Sequence, residues 1–219
     1  MPQTPKILSA LTLAFALSTL SACKSEIDEK PKAKVEDAEK PTEKPKTKAD
    51  EASAVTTLAL AKEGTTIAFI GAKITDDHRG SFSDFKGSAT IEGGKVTSMN
   101  ISVDIASMVI EPADLAKHLK GEDFFNASKH PKAEFTSLSI VKKAGEGGAT
   151  HEIAGNLELK GMAKKVTFPA TLEIKDGSVH GKAEFSVDRK LWGITYPGKP
   201  DDLIKDEVAL ELDLNFAKA

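Results

Sequence analysis

The sequence predicts an all-β fold, an antiparallel barrel of about eight strands with one short helix near its mouth. Three observations lead there: five stretches in which apolar and polar residues alternate, glycine-bearing turns between them, and a single segment with helical spacing. Alternation at period 2 marks a strand with one buried face, because successive side chains point to opposite sides of a sheet.

The first alternation sets Met99, Ile101, Val103 and Ile105 against Ser98, Asn100, Ser102 and Asp104. The second sets Ile153, Gly155, Leu157 and Leu159 against Glu152, Asn156 and Glu158. Val166, Phe168, Ala170, Leu172 and Ile174 make the third, and Val179, Gly181, Ala183, Phe185 and Val187 the fourth. Val208, Leu210, Leu212, Leu214 and Phe216 close the series. Turns fall at Glu92-Gly93-Gly94, at Gly145-Glu146-Gly147-Gly148, at Lys160-Gly161 and at Asp176-Gly177, the last being a strong hairpin signal. Such short connections make neighbouring strands antiparallel. A one-sided sheet of this length leaves its apolar face wet unless it closes or pairs with another sheet, and closure into a barrel of about eight strands is the architecture expected. From Pro112 to Gly121 the pattern changes: Leu115 and Leu119 stand four apart, Asp114 is in the first turn, and Gly121 is a stop. This helix is expected over one mouth of the barrel, with Phe124 and Phe125 packed into or across that mouth.

Ahead of the barrel the composition is different. Residues 1–22 read as a signal segment, with 14 mostly apolar residues from Ile7 to Leu20. That is within the ~7–15 of a signal core and short of the ~18 needed to span a bilayer. Leu20-Ser21-Ala22-Cys23 resembles the lipobox of bacterial lipoproteins, with Cys23, the only cysteine, as the lipidated residue. Lys24 in place of aspartate resembles lipoproteins sent on to the outer membrane. Residues 23–53 are expected to be the lipidated cysteine and a disordered charged linker: from Lys24 to Ser53 there are eight Lys, nine Asp or Glu, three Pro and no aromatic residue. A segment with so little to bury does not offset its ordering entropy. Residues 54–219 are the barrel domain.

Composition excludes several functions. The 219 residues carry a net charge of −3 with no basic segment, which argues against a nucleic-acid partner. One cysteine permits neither a disulfide framework nor a four-cysteine zinc site. No G-x-S-x-G elbow, phosphate loop or H-E-x-x-H is present, so the chain reads as a binding protein and not an enzyme. Asp76, Asp77 and His78 form the most suggestive polar cluster, but without a second histidine ligand they read as structural or mouth-lining and not as a metal site. His118 and His130 are expected in solvent, and His151 and His180 outside the barrel. Arg189 is expected to staple the rim by pairing with Asp188 or Asp206. Trp192 and Tyr196 stand in a loop that either caps the cavity or rests on lipid headgroups.

Several stretches together resemble the YceI-like proteins. These are Phe69-Ile70-Gly71-Ala72-Lys73, His78-Arg79-Gly80-Ser81-Phe82, Leu119-Lys120-Gly121-Glu122-Asp123-Phe124-Phe125-Asn126, Pro131, and Phe135-Thr136-Ser137. Gly155-Asn156-Leu157-Glu158-Leu159-Lys160-Gly161, Lys165-Val166 and Asp188-Arg189-Lys190-Leu191-Trp192-Gly193 continue the series in order. The resemblance implies a lipocalin-like barrel around a polyisoprenoid lipid, such as a quinone or polyprenyl alcohol, with no other cofactor. The ligand-binding residues expected are Ile67, Phe69, Phe82, Ile101, Val103, Phe135, Leu157, Phe168, Phe185 and Leu212, with Phe124 and Phe125 as a lid and Trp192 at the cap. Small inward residues (Gly155, Ala170, Gly181, Ala183) either leave a tunnel or mark where large side chains meet. The function that follows is a membrane-anchored lipoprotein of the bacterial envelope, at the outer membrane facing the periplasm, that sequesters or transports such a lipid. The alternative is a surface lipoprotein with a packed, ligand-free barrel that acts as a protein-interaction module. A monomer and a homodimer are both open.

Overall fold

The computed structural model describes residues 25–40 and 54–218, so the signal segment, Cys23 and residues 41–53 lie outside the described residues. A 3-10 turn, Glu26–Glu29, precedes β1 (Lys34–Asp37), β2 (Val55–Leu60), β3 (Thr66–Lys73), β4 (Asp77–Phe82), β5 (Phe85–Glu92), β6 (Lys95–Asp104) and β7 (Met108–Ile110). Then follow α1 (Ala113–Lys120), β8 (Lys132–Lys142), β9 (His151–Leu159), β10 (Met162–Lys175), β11 (Ser178–Asp188), β12 (Gly198–Lys199) and β13 (Asp202–Ala217).

The barrel closes as eight antiparallel staves, three of which are broken in two. One edge of β13 pairs with β3 from Ile204 to Asp213 and then with β2 at Phe216 and Ala217, so β2 and β3 form one bent stave. Across from it, β4 pairs with β3 and β5 with β2; beyond that, β7 pairs with β4 and β6 with β5. Single strands complete the ring: β8, β9, β10 and β11, whose far edge meets the other edge of β13. The turns at Gly93-Gly94, Lys160-Gly161 and Asp176-Gly177 hold positive φ at both central residues. That is the twist a two-residue hairpin needs, and it is why glycine is required there. The floor is packed by Leu58, Val96, Val179 and Phe216, none more than 7% exposed. The helix lies at the other end with the β3–β4 and β9–β10 turns and β12.

The segment expected to be disordered from residue 24 onward is instead ordered from 25 to 40, and it completes the wall. β10 and β11 pair only over Thr171–Lys175 and Ser178–Lys182 and part toward the mouth. Into the gap comes the N-terminal segment. β1 pairs with Lys164–Thr167 of β10, while the Ala33 N–H donates to the Ser186 carbonyl of β11 and the Ser186 N–H donates to the Pro31 carbonyl, both at 2.9 Å. Ala33 and Val35 turn inward onto the main core. Before the gap, the strap crosses the outside of the barrel, and Ile27 is buried with Ile70, Ala72 and Ala209. This explains why Ala209, on the outward face of β13, is 0% exposed.

Charge alternation, read in the sequence as a mark of disorder, here matches the strap to its track. Lys30 bridges Glu184 (2.6 Å) and Glu211 (2.9 Å), Lys32 meets Glu207 (2.6 Å), and Asp28 meets Lys205 (2.7 Å). Asp37 meets Lys164 at 2.9 Å and Glu39 meets Lys165 at 2.7 Å. Exposed pairs contribute about 0–1 kcal/mol each, so Ile27 and the backbone bonds supply most of the docking and the charges supply register. Sequence patterning misses such a segment because its conformation is set by the surface it lies on.

Replacing Ile27 by Asp therefore undocks the strap before it unfolds the barrel. Truncating a buried isoleucine costs about 2–5 kcal/mol, and a buried unpaired charge adds to that. The expected result by hydrogen exchange is loss of protection at Ala33 and Ser186 with protection retained in β8 and β9. Uniform loss throughout the barrel would contradict a separable strap.

Acid should loosen the strap in the same way. Hydrogen bonds from Lys32 and Lys164 hold Glu207 and Asp37 below the usual carboxylate range, and Lys34 does so for Glu36. Because these folded values are depressed, their contribution is present above the ordinary carboxylate pKa of about 4 and is lost as pH falls through the lower folded values. Exchange protection at Ala33 is expected to hold from pH 7 to about 5 and to fall below about 4 ahead of the barrel strands. Protection that does not change with pH would mean the pairs contribute nothing.

Candidate ligand-binding cavity

Inside the staves the inward side chains stop short of filling the barrel. They leave a cavity of about 500 Å³, within the ~300–1,000 Å³ usual for small-molecule sites. Its wall is almost wholly apolar and includes Ile67, Phe69, Phe82, Ile101, Val103, Phe124, Phe125, Phe135, Leu157, Phe168, Phe185 and Leu212. Phe168 stacks on Phe185 with centroids 4.1 Å apart, and Phe135 tilts against Phe168 at 5.8 Å. Several wall residues, Ile101, Phe135, Leu210 and Leu212 among them, are only half-buried although they point inward, because they face the cavity and not another side chain.

Trp192 is not in this wall, contrary to its expected place at the cap. It is 0% exposed, and its indole N–H donates to the Leu157 carbonyl at 3.0 Å. A buried indole needs an acceptor, and the end of β9 provides one, so the residue anchors the loop after β11 to the barrel. The small inward residues divide between the two readings. At Gly155 a Cβ would stand 2.4 Å from the Phe135 ring, so this glycine is where a large side chain packs. Ala170, Gly181 and Ala183 instead line the cavity and make room.

The mouth carries the polar groups. His118 projects from α1 and, with Phe124 and Tyr196, forms an aromatic trio with centroids 5.0–5.2 Å apart. His118 therefore lines the cavity and is not simply solvated, although it remains partly exposed. Leu115 and Leu119 pack with Phe69, Ile105, Met108 and Ile110, which seats the helix on the rim. Phe125 joins that cluster, and the Phe69 ring packs at 5.5 Å on Phe82. His78 also lines the mouth, 3.9 Å from Asp76, whereas Asp77 is occupied by the Ser25 hydroxyl. Nearby, Lys73 meets Asp202 at 2.9 Å, and its hydrogen bond holds the Asp202 carboxyl below the usual range.

Arg189 is the rim staple, through carbonyls more than through carboxylates. It is 5% exposed and donates to the carbonyls of Ile194 (2.6 Å), Lys205 (3.0 Å) and Ile204 (3.4 Å), with Asp206 at 3.6 Å. Asp188 caps the following turn by accepting from the Lys190 N–H. His180 lies outside, paired with Asp213 at 2.5 Å. Burial pushes the Asp213 carboxyl up, but hydrogen bonds from His180 and Lys182 outweigh it and hold the group low. His151 meets the Thr150 hydroxyl, and burial followed by Lys142 lowers its pKa. His130 packs beside Gly161. Among the described residues, no group of three or more His, Cys, Asp or Glu is placed to hold a metal.

Sequence reasoning missed other lining residues. Ile153, Val166, Val208 and Leu210 share faces with residues it did name, so the alternation already held them. Ile105 ends the first alternation and Leu115 stands on the apolar spacing of the helix, so both were within the pattern, whereas Ile110 belongs to the irregular stretch before the helix, where no periodicity marks an inward face.

The arrangement is an almost wholly apolar sleeve packed at the floor, with Lys73, His78, His118 and Asp202 among the polar groups at its mouth. Comparison with known proteins places it in a family. The sequence pattern of the YceI-like domain matches residues 58–216. A UPF0312 protein of Pseudomonas putida strain W619 is 35% identical over 140 residues, which is 60% of this chain and 71% of that one. A UPF0312 protein of Photorhabdus laumondii is 37% identical over 116 residues, 51% of this chain and 58% of its own length. Among solved structures, Burkholderia cenocepacia BcnA superposes with a TM-score of 0.63 at 22% identity, over 71% of this chain and 98% of its own. A polyisoprenoid binding domain from Saccharophagus degradans, implicated in plant cell wall breakdown, does so at 0.59 and 12% identity, over 77% of this chain and all of its own. These two establish likeness of fold. With nearly all of the barrel matched in sequence, the chain belongs to the YceI-like family.

Proposed function

We propose that this protein holds a long-chain lipid of the polyisoprenoid class, a quinone or a polyprenyl alcohol, inside its barrel, for sequestration or transport in a bacterial cell envelope. In this reading Cys23 carries a lipid anchor and the chain stands at the outer membrane facing the periplasm. The observation that supports it most is the size and chemistry of the cavity. An apolar space of about 500 Å³ is of the size usual for small-molecule sites, and a long apolar chain laid in it takes its own surface and that of the wall out of water. Each buried methylene contributes about 0.8 kcal/mol, part of which is returned in ordering a flexible chain. The relative from Saccharophagus degradans, described as a polyisoprenoid binding domain, adds support of a fold-level kind. The competing reading, a packed barrel serving as a protein-interaction module, is disfavoured by the same space.

Mass spectrometry of an organic extract of the purified chain tests this, since a covalent anchor on Cys23 stays with the protein. One molar equivalent of a polyprenyl quinone or alcohol is expected. An extract without lipid from a folded chain would favour the interaction module.

Two substitutions probe the cavity itself. Ala183→Trp places an indole in the lumen without adding a charge, at a cost of about 1–3 kcal/mol, and should abolish co-purifying lipid in a folded protein. Phe185→Asp should do the same by placing a carboxylate against the Phe168 ring, where nothing pairs it. Unchanged lipid occupancy in a folded Ala183→Trp variant would contradict the assignment.

A further inference from the structure

The barrel has two ends, and the structure assigns one of them to a membrane. We propose that the mouth end, through Ile74, Leu203, Leu191 and Met162, rests in the headgroup–hydrocarbon boundary of the bilayer that carries Cys23. This deepens the reading above and rests on its lipid anchor.

Exposed aliphatic side chains do not choose between the ends. Ile74 (67%), Leu203 (46%), Leu191 (41%) and Met162 (38%) stand at the mouth, but Val55, Val141 and Ile174 are just as exposed at the floor. The choice comes from where the chain enters. Ser25, the first described residue, is fastened at the mouth: its hydroxyl donates to the Asp77 carboxylate at 2.8 Å, and the Glu26 N–H donates to the same group at 3.1 Å. Asp77 opens β4, immediately after the turn that carries Ile74, and the Ile74 N–H donates to the Leu203 carbonyl at 3.1 Å. The hold on this end of the strap is not a single bond, because Ile27 is 2% exposed and Arg79 pairs with Glu26 at 2.7 Å.

Only two residues of reach separate Cys23 from Ser25, at most about 7 Å of extended chain. A strand the length of β9, which spans His151–Leu159, is about 30 Å long. A lipid on Cys23 therefore draws the β3–β4 corner of the mouth onto the bilayer, and the floor stays roughly a strand's length away. Farther round the mouth, the Lys160 ammonium donates to the Gly193 carbonyl at 3.2 Å and the Met162 side chain lies beside Gly193, which ties the β9–β10 turn to the loop that carries Leu191. The apolar side chains thus lie along one arc from the anchor across the rim. The charged stretch that looks like a tether gives no slack while the strap is docked. Undocked, residues 25–40 become a coil of ~22 Å root-mean-square span.

The test uses the full chain purified from membranes and reconstituted into phosphatidylethanolamine–phosphatidylglycerol vesicles. A single cysteine is introduced by Leu203→Cys, Leu191→Cys, Ile174→Cys or Val141→Cys and labelled with an environment-sensitive fluorophore. A lipidated Cys23 has no thiol to label, so the wild-type chain is the control. The expected result is flotation of every variant with the vesicles and a blue shift of emission, relative to the same variant carrying Cys23→Ala and so lacking the anchor, at 203 and 191 but not at 174 or 141. Adding Ile27→Asp should leave flotation intact and reduce the shift at 203 by half or more. Flotation with equal emission at both ends, or with a shift at the floor alone, overturns the docking while leaving the anchor standing. A wild-type chain that labels at Cys23 and does not float overturns the anchor and the docking together.

Discussion

Closure of the ring through β13 is the constraint on which the rest of this structure depends. One edge of that 16-residue strand holds β11 along most of its length, and the other holds β3 and then β2. Without it the inward faces of eight staves would form an open sheet with one wet apolar side. With it those faces enclose a lumen whose width is fixed by the number of staves and not by the side chains available to fill it. The cavity is thus a product of backbone geometry first. Ala170, Gly181 and Ala183 preserve it by declining to fill it.

The wall, however, is not made of the eight staves alone. β10 and β11 separate above Thr171, and a ladder broken there would leave unpaired backbone groups beside an apolar lumen. The N-terminal segment satisfies them from both sides, antiparallel to β10 and bridged to Ser186 of β11. It therefore serves as wall and as restraint at once. The same residues that complete the hydrogen bonding also fix how the chain enters the domain.

The alternations at Met99–Ile105, Ile153–Leu159, Val166–Ile174, Val179–Val187 and Val208–Phe216 made the staves and their inward faces legible before any coordinates. Twelve of the thirteen named site residues stand in the cavity wall, and six of them, Ile101, Val103, Leu157, Phe168, Phe185 and Leu212, lie on those alternating faces. What was not legible has a common physical origin. Ile27, Ala33 and Val35 are isolated apolar residues in a charged run, and only the folded barrel tells them where to sit, Ile27 on its outer surface and Ala33 and Val35 against its core. Trp192 has an aromatic's chemistry and a Gly-rich neighbourhood, both of which suit a cap, but an acceptor on β9 drew it inside. His118 is exposed as expected, but its ring contacts were not legible, because Phe124 and Tyr196 are six and 78 residues away in sequence.

Chain order adds a matter of timing. The staves from β2 to β11 are adjacent in sequence and can pair as they are made, but the ring has no closing member until β13 follows. Long-range pairing of this kind is also the slow part of folding, because loop-closure entropy is spent before the contact is gained. Until then the lumen is a groove, open along its whole length to any long apolar molecule nearby. A flexible chain of carbons can be laid into a groove sideways far more readily than it can be threaded end-first through a narrow mouth. The moment of closure is therefore also the moment at which this barrel is most easily filled.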